Sequence, residues 1–188
     1  MILPIYAFGQ PILKQEGEPI EPLTYPELDV LIKNMFETMY SAKGVGLAAP
    51  QIGLGIKLFI MDTTPYVEDG KDFIGIKKVF INPVILDEQG EEWAFEEGCL
   101  SIPDLRADVD RKPTIRIEYQ DEAGEHHTGE FEGLNARVIQ HEYDHILGKL
   151  FIDRLKPLKK RMIQRRLEAI KKGQVESDYK LKFYRSKP

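Results

Sequence analysis

The stretch Gln140-His141-Glu142-Tyr143-Asp144-His145 decides how the rest of the chain is read. It contains the spacing His-Glu-x-x-His, and on an α-helix residues four apart lie one turn apart on the same face. His141 and His145 can therefore aim ring nitrogens at one metal ion. Glu142 leaves the helix from the same turn, where a carboxylate can take a proton from a water activated by that ion. The bland alternative is an ordinary polar helix face, but the chain holds only four histidines among 188 residues, so this arrangement seldom arises by chance. Leu134 and Val138 fall near the face that carries His141 and His145. The metal side of this helix is thus its core side, and the remaining elements must surround it.

Working outward, Ile115, Ile117 and Tyr119 alternate with Arg116, Glu118 and Gln120, and a turn at Asp121 to Gly124 leads into a second strand through His126 to Phe131. This pattern predicts a β-hairpin in which His126 and His127 are surface residues. Asn135 is the expected N-cap of the motif helix and Gly148 its end. After Phe151 to Leu155 a last helix is expected over about Leu158 to Lys172, with Ile163, Leu167 and Ile170 as its apolar stripe. Upstream, four prolines within residues 1 to 23 predict an extended, wrapping segment. Thr24 and Glu27 have capping-box spacing for a helix whose stripe is Leu28, Leu31, Ile32, Met35, Phe36 and Met39. Ile56 to Met61 reads as a buried strand, a polar loop follows from Thr63 to about Lys77, and Val79 to Leu86 reads as a strand bent or placed at an edge by Asn82-Pro83. The expected fold is therefore α+β, with antiparallel β-sheets around a central metal-binding helix and with N-terminal and C-terminal helices. Residues 1–173 form one catalytic domain in this reading, and 174–188 a polar tail.

Composition narrows the functional classes. With 42% apolar residues there is material for one substantial core, and a net charge of −5 argues against a general nucleic-acid binder, so no free-DNA binding is expected. No apolar run is long enough to span a bilayer, the opening stretch lacks the pattern of a signal peptide, and the single cysteine, Cys99, fits a reducing cytoplasm. The expected location is cytoplasmic.

Two histidines need a third protein ligand if one position is to stay open for water, and Cys99 is the natural candidate, because a metal stabilises the thiolate. A small apolar core cysteine is the competing reading, and separation in sequence cannot decide between them. Gly98 and Pro103 bracket Cys99 in what reads as irregular backbone able to present a side chain to a site. The run Gly44-Val45-Gly46-Leu47-Ala48-Ala49-Pro50-Gln51-Ile52-Gly53 reads as a second site loop, but it lacks the Gly-Lys-Ser/Thr ending of a phosphate loop.

Three separated segments, Gly44-Val45-Gly46-Leu47-Ala48-Ala49-Pro50-Gln51, Glu97-Gly98-Cys99-Leu100-Ser101 and Gln140-His141-Glu142-Tyr143-Asp144-His145, resemble the signature motifs of bacterial-type peptide deformylases and occur in that family's order. The resemblance implies metal ligation by Cys99, His141 and His145, usually to Fe2+, with Zn2+, Ni2+ or Co2+ also able to bind. It implies catalytic roles for Glu142 as proton carrier and for the Gln51 amide and Leu100 N–H as oxyanion donors. The implied reaction removes the formyl group from N-formylmethionine at the N-terminus of nascent polypeptides and releases formate. Substrate contacts are implied for Gly44, Val45, Gly46 and Leu47, for Leu134, Arg137, Val138 and His141 around the methionine side chain, and for Arg106 farther along the peptide. Arg137 is expected to offer its aliphatic stem while its charge stays in water. Asp144 is expected to be a hydrogen-bond partner rather than a ligand.

The last helix carries Lys159, Lys160, Arg161, Arg165, Arg166, Lys171 and Lys172 against one acid, Glu168. This is either a solvated face or a patch that meets ribosomal RNA. A zinc peptidase using the same His-Glu-x-x-His water activation is the competing enzymatic reading. A closed structural metal site is the competing non-enzymatic one, and it needs a fourth ligand for which only His126 and His127 remain as imidazoles.

Overall fold

The computed structural model describes residues 1–67 and 73–184; part of the expected 63–77 loop lies outside them. In chain order the elements are β1 (Ile5–Tyr6), α1 (Leu28–Ser41), β2 (Gly46–Ala48), β3 (Leu58–Asp62), β4 (Lys77–Gln89), β5 (Trp93–Cys99), β6 (Ile102–Arg111), β7 (Thr114–Gln120), β8 (His126–Glu132), α2 (Gly133–Ile146), α3 (Pro157–Lys171) and β9 (Leu181–Lys182), with short 3-10 turns between some of them. Five strands form one antiparallel sheet in the order β2-β3-β4-β7-β8, and β5 pairs with β6 as a separate antiparallel ribbon.

The five-stranded sheet lies between two helices, and the alternation of side chains along β3 shows why. Leu58 and Ile60 face α1 in a cluster with Ile32, Met35 and Met39. Phe59 and Met61 point the other way, into a cluster with Phe80, Ile115, Ile117 and, from α2, Ala136, Val138, Ile139 and Ile146. A strand covered on both faces loses its polar alternation, which is why this stretch reads as a continuous apolar run. The rings of Phe59 and Phe80 stack at 4.7 Å between centroids, and burying each contributes on the order of 2–3 kcal/mol. A third cluster joins Leu105, Ala107 and Val109 of β6 to Phe151, Ile152, Leu167 and Ile170, so α3 closes over the ribbon.

Several expectations shift. The helix predicted from Thr24 begins only at Leu28, and Glu27 stands before it in the left-handed region (φ 52) without a side-chain cap. Pro26 biases Tyr25 away from helical backbone, so the Thr24–Glu27 spacing cannot act as a capping box. Asn135 does not cap α2, which starts two residues earlier at Gly133; its amide donates to the Ile74 carbonyl (2.9 Å) and accepts from Thr63 Oγ1 (2.6 Å). Asn82-Pro83 does bend β4: the register with β7 shifts between Ile81 and Val84, and Asn82 has φ 48. The Asn82 side chain holds that bulge by pairing with both backbone groups of Ile20.

Two corrections matter more for the site. The backbone around Cys99 is a β-ribbon, with a register shift between Gly98 and Cys99 and the turn Leu100-Ser101 at its tip. The segment after Gly173, expected as a polar tail, returns to the body of the protein: β9 pairs in parallel with β1, and Leu181 packs against two of the core clusters.

Candidate metal centre

Helix α2 brings His141 and Glu142 to the lining of a cleft of about 780 Å3, with His145 buried one turn farther along, and the tip of the β5–β6 ribbon brings Cys99 to the same cleft. One donor atom from each of Cys99, His141 and His145 lies within 4.8 Å of the others, and Cys99 Sγ is 3.3 Å from His145 Nε2. The two imidazole planes are tilted by 77° with centroids 5.1 Å apart, so they converge on one point rather than stack.

What aims these side chains is a buried ionic network that the sequence reading did not contain. Glu97, two residues before Cys99 and therefore on the same face of β5, accepts from His141 Nδ1 at 2.9 Å. That bond leaves His141 Nε2 for the cluster. Arg111 donates to both oxygens of Glu97 (2.7 and 3.0 Å) and through its other terminus to Asp144 (2.8 Å). Asp144 also accepts two bonds from Arg154 at 2.6 Å. Asp144 thus has the partner role expected of it, although it reaches the imidazole only through Arg111 and Glu97. Arg137 overturns its expectation: it is only 2% exposed, and its guanidinium bonds Glu97 and the carbonyls of Val109 and Trp93 instead of reaching water. The buried carboxylate of Glu97 draws the guanidinium inward, while Arg137 still lines the cleft.

The other catalytic candidates also sit here. Gln51 Oε1 accepts from the Ala48 N–H at 2.8 Å, which turns Gln51 Nε2 toward Cys99 Sγ (3.6 Å) and Ser101 Oγ (3.3 Å). Leu100 lines the same cleft between them, as do Gly44, Val45 and Gly46. Leu134, Arg137 and Val138 line its inner end, and Arg106, 3.7 Å from Glu96, its exposed rim. Leu47 departs from its expectation. On β2 its side chain points opposite to that of Ala48 and is fully buried in the α1 cluster, so it does not line the cleft.

Glu142 is 3% exposed, its Oε2 has no hydrogen-bond partner among the described residues, and burial pushes its pKa up to about 7 against the opposing charge of His141. A carboxyl so placed is poised to exchange protons near neutrality, and a nearby cation would favour its ionised form. One thiol and two imidazoles on three converging side chains, with the fourth side open to the cleft, fit a divalent transition-metal ion that keeps a position for water or substrate. Gly46 has to be glycine for this geometry, because a Cβ there would come within 2.7 Å of Glu142 Cγ. We expect Gly46→Ala to lower the melting temperature by a few degrees and kcat about a hundredfold by displacing the carboxylate. Steady-state kinetics and a thermal melt check this.

The comparisons with known proteins agree with the geometry. The profile of the family described as polypeptide deformylase matches residues 2–161. The peptide deformylase of Flavobacterium johnsoniae is 54% identical, over 100% of this chain and 98% of that protein, and that of Christiangramia forsetii is 53% identical over the same shares. Among solved structures, the peptide deformylase of Legionella pneumophila is similar with a TM-score of 0.80 at 40% identity, covering 93% of this chain and 98% of that one. The peptide deformylase of Thermus thermophilus gives 0.81 at 39%, covering 92% and 99%.

Proposed function

Because the chain belongs to the polypeptide deformylase family, we propose that Cys99, His141 and His145 hold its metal ion and that Glu142, Gln51 and Leu100 carry out deformylation. The protein is a metal-dependent hydrolase that removes the formyl group from methionine at the N-terminus of newly made polypeptides and releases formate. The observation that carries the residue assignment is the convergence of the three donor atoms, one of them on His141 next in the chain to Glu142, whose Oε2 has no hydrogen-bond partner among the described residues. Fe2+ is the proposed native ion; Zn2+, Ni2+ and Co2+ suit the same thiolate and imidazole donors.

A divalent ion at this site supplies Lewis acidity toward a water molecule and toward the formyl oxygen. Glu142 accepts the proton as the water oxygen adds to the formyl carbon and the carbonyl electron pair moves onto oxygen. The Gln51 amide, held in orientation by the Ala48 N–H, and the Leu100 N–H donate to that developing oxyanion. The carbon–nitrogen bond then breaks and Glu142 returns its proton to the departing amine. Formate and a free methionine N-terminus result.

In this reading a peptide is held along the edge of the sheet. β2 is an edge strand of the five-stranded sheet, so Gly44 to Gly46 can pair with an extended peptide backbone as an added strand. The apolar side chains of Val45, Leu134 and Val138, with the His141 ring and the stem of Arg137, form the methionine pocket, and Arg106 meets the peptide farther along.

Formyl-Met-Ala-Ser, its unformylated form and an internal-cleavage peptide, offered to protein prepared without oxygen, test this reading. Formate from the first and no new amine from the last are expected; new amine from the internal peptide without formate from the first would favour a peptidase.

No helix of the described residues is long and apolar enough to cross a membrane. We place the protein in the cytoplasm, where α3 contacts ribosomal RNA through its basic face. Arg166, Lys159 and Lys156 lie 3.1 to 3.9 Å from Asp104, Asp108 and Asp110 of β6, which leaves Arg161 and Arg165 among the exposed cations able to meet phosphate. Deleting the helix would strip Leu167 and Ile170 from the core, so charge reversal is the better probe. Arg161→Glu with Arg165→Glu is expected to weaken cosedimentation with ribosomes at least tenfold at low salt while sparing turnover of the tripeptide; unchanged cosedimentation would reject the contact.

A further inference from the structure

The tip of the β5–β6 ribbon carries Cys99, Leu100 and Ser101, and its backbone is held from outside by both ends of the chain. Phe8 N–H donates to the Ser101 carbonyl at 2.8 Å, and the Tyr179 hydroxyl donates to the Leu100 carbonyl at 2.8 Å. The two ends are themselves joined, because Ile5 N–H donates to the Lys180 carbonyl (2.9 Å) and Ala7 N–H to the Lys182 carbonyl (3.0 Å) across the parallel β1–β9 pair. Tyr179 lies beyond residue 161, where the family match ends, and its ring packs with Leu100 against the α1 cluster. Residues Glu176 to Tyr179 also line the cleft.

We propose that Tyr179 is a positioning residue for deformylation, and that the joined chain ends, by holding the Leu100 and Ser101 carbonyls, fix the turn so that the N–H of the preceding Cys99–Leu100 peptide points at the oxyanion position. This rests on the proposed function of the site. The physical argument concerns precision. A two-residue turn at a ribbon tip has few backbone bonds of its own, and a donor displaced by a fraction of an ångström loses most of its differential hold on a transition state. Gln51 is fixed by its own bond to the Ala48 N–H, but the Leu100 segment depends on carbonyl contacts to Tyr179 and Phe8.

Tyr179→Phe removes only the hydroxyl and keeps the ring. In the full-length, metal-loaded protein we expect kcat for formyl-Met-Ala-Ser to fall about tenfold, KM to stay within about twofold and bound metal to be unchanged. Amide hydrogen exchange of residues 99–102 should speed up by a similar factor, a readout independent of turnover. Tyr179→Leu, which also removes the ring edge, should lower kcat at least as far. Wild-type kcat in Tyr179→Phe, or a loss of turnover that merely follows a loss of metal, would overturn the assignment. Unchanged exchange at 99–102 would overturn it too. Absence of formate release from the wild type would instead overturn the proposed function, and this inference with it.

Discussion

Glu142→Gln is expected to lower deformylation by about 10³- to 10⁴-fold while leaving metal content and melting temperature close to wild type. General acid–base catalysis typically contributes about 10²- to 10⁴-fold, and here one carboxylate both takes the proton from water and returns it to the amine, so both proton transfers are lost together. Gln is nearly isosteric and neutral, and the Glu142 carboxylate takes part in no ion pair among the described residues, so the fold has little to lose. Burial already opposes the charge at this position, so removing it carries no electrostatic penalty for the fold. Formate release, with metal content measured on the same sample, checks the prediction. Substantial activity in the variant would take Glu142 out of the mechanism.

Glu97→Ala should produce the largest structural loss of any single change at the site. Glu97 and Asp144 are the buried anions, and Arg111, Arg137 and the partly exposed Arg154 surround them. Without Glu97, Arg137 keeps only carbonyl partners while Arg111 and Arg154 share Asp144, and breaking a buried pair by removing one partner typically costs about 3–5 kcal/mol. For a domain of this size that corresponds to a drop in melting temperature of roughly 10 °C. His141 would also lose the acceptor that fixes its Nδ1–H and turns Nε2 to the cluster. Outer partners of this kind typically affect metal affinity by about 10- to 100-fold. Thermal melts and competition with a chelator separate the two effects. Glu97→Gln, which keeps an acceptor but not the charge, should fall between Ala and wild type in both.

The metal-bearing helix was legible because its signal is local: His141, Glu142 and His145 sit within one turn and a half, and the period of 3.6 fixes their relative directions. The α1 stripe and the β7–β8 hairpin were legible for the same reason. The β5–β6 ribbon was harder. Ala94, Phe95 and Glu96 of β5 are all exposed while Glu97 is buried, so the apolar alternation that marks a strand is absent there. On β6 the alternation of Leu105, Ala107 and Val109 with Asp104, Arg106 and Asp108 is present, but Pro103 and the density of charge obscure it. Once the ribbon is known, the i, i+2 spacing of Glu97 and Cys99 puts a carboxylate beside the thiol, and that spacing could have flagged Glu97.

Arg137, Arg111 and Tyr179 show where reading the chain in one dimension stops. Nothing around Arg137 distinguishes a snorkelling arginine from one drawn into a buried network, because the deciding partner, Glu97, is 40 residues away. Arg111 closes β6 as an ordinary strand-end charge until the fold sets it between Glu97 and Asp144. Tyr179 reaches Leu100 across 79 residues, through a strand pair only two residues long. Leu47 failed in a simpler way: motif membership named the residue, but the period of two along β2 sends its side chain into the core.

The most direct test of the central claim is to measure bound metal and formate release from formyl-Met-Ala-Ser on one oxygen-free preparation, before and after chelation and again after Fe2+ is restored. A single ion per chain, loss of formate release in step with loss of the ion, and recovery on reloading are expected, with Cys99→Ser losing both together. Undiminished formate release from metal-stripped protein, or full metal binding and turnover in Cys99→Ser, would contradict the assignment of Cys99, His141 and His145 as the centre of the reaction.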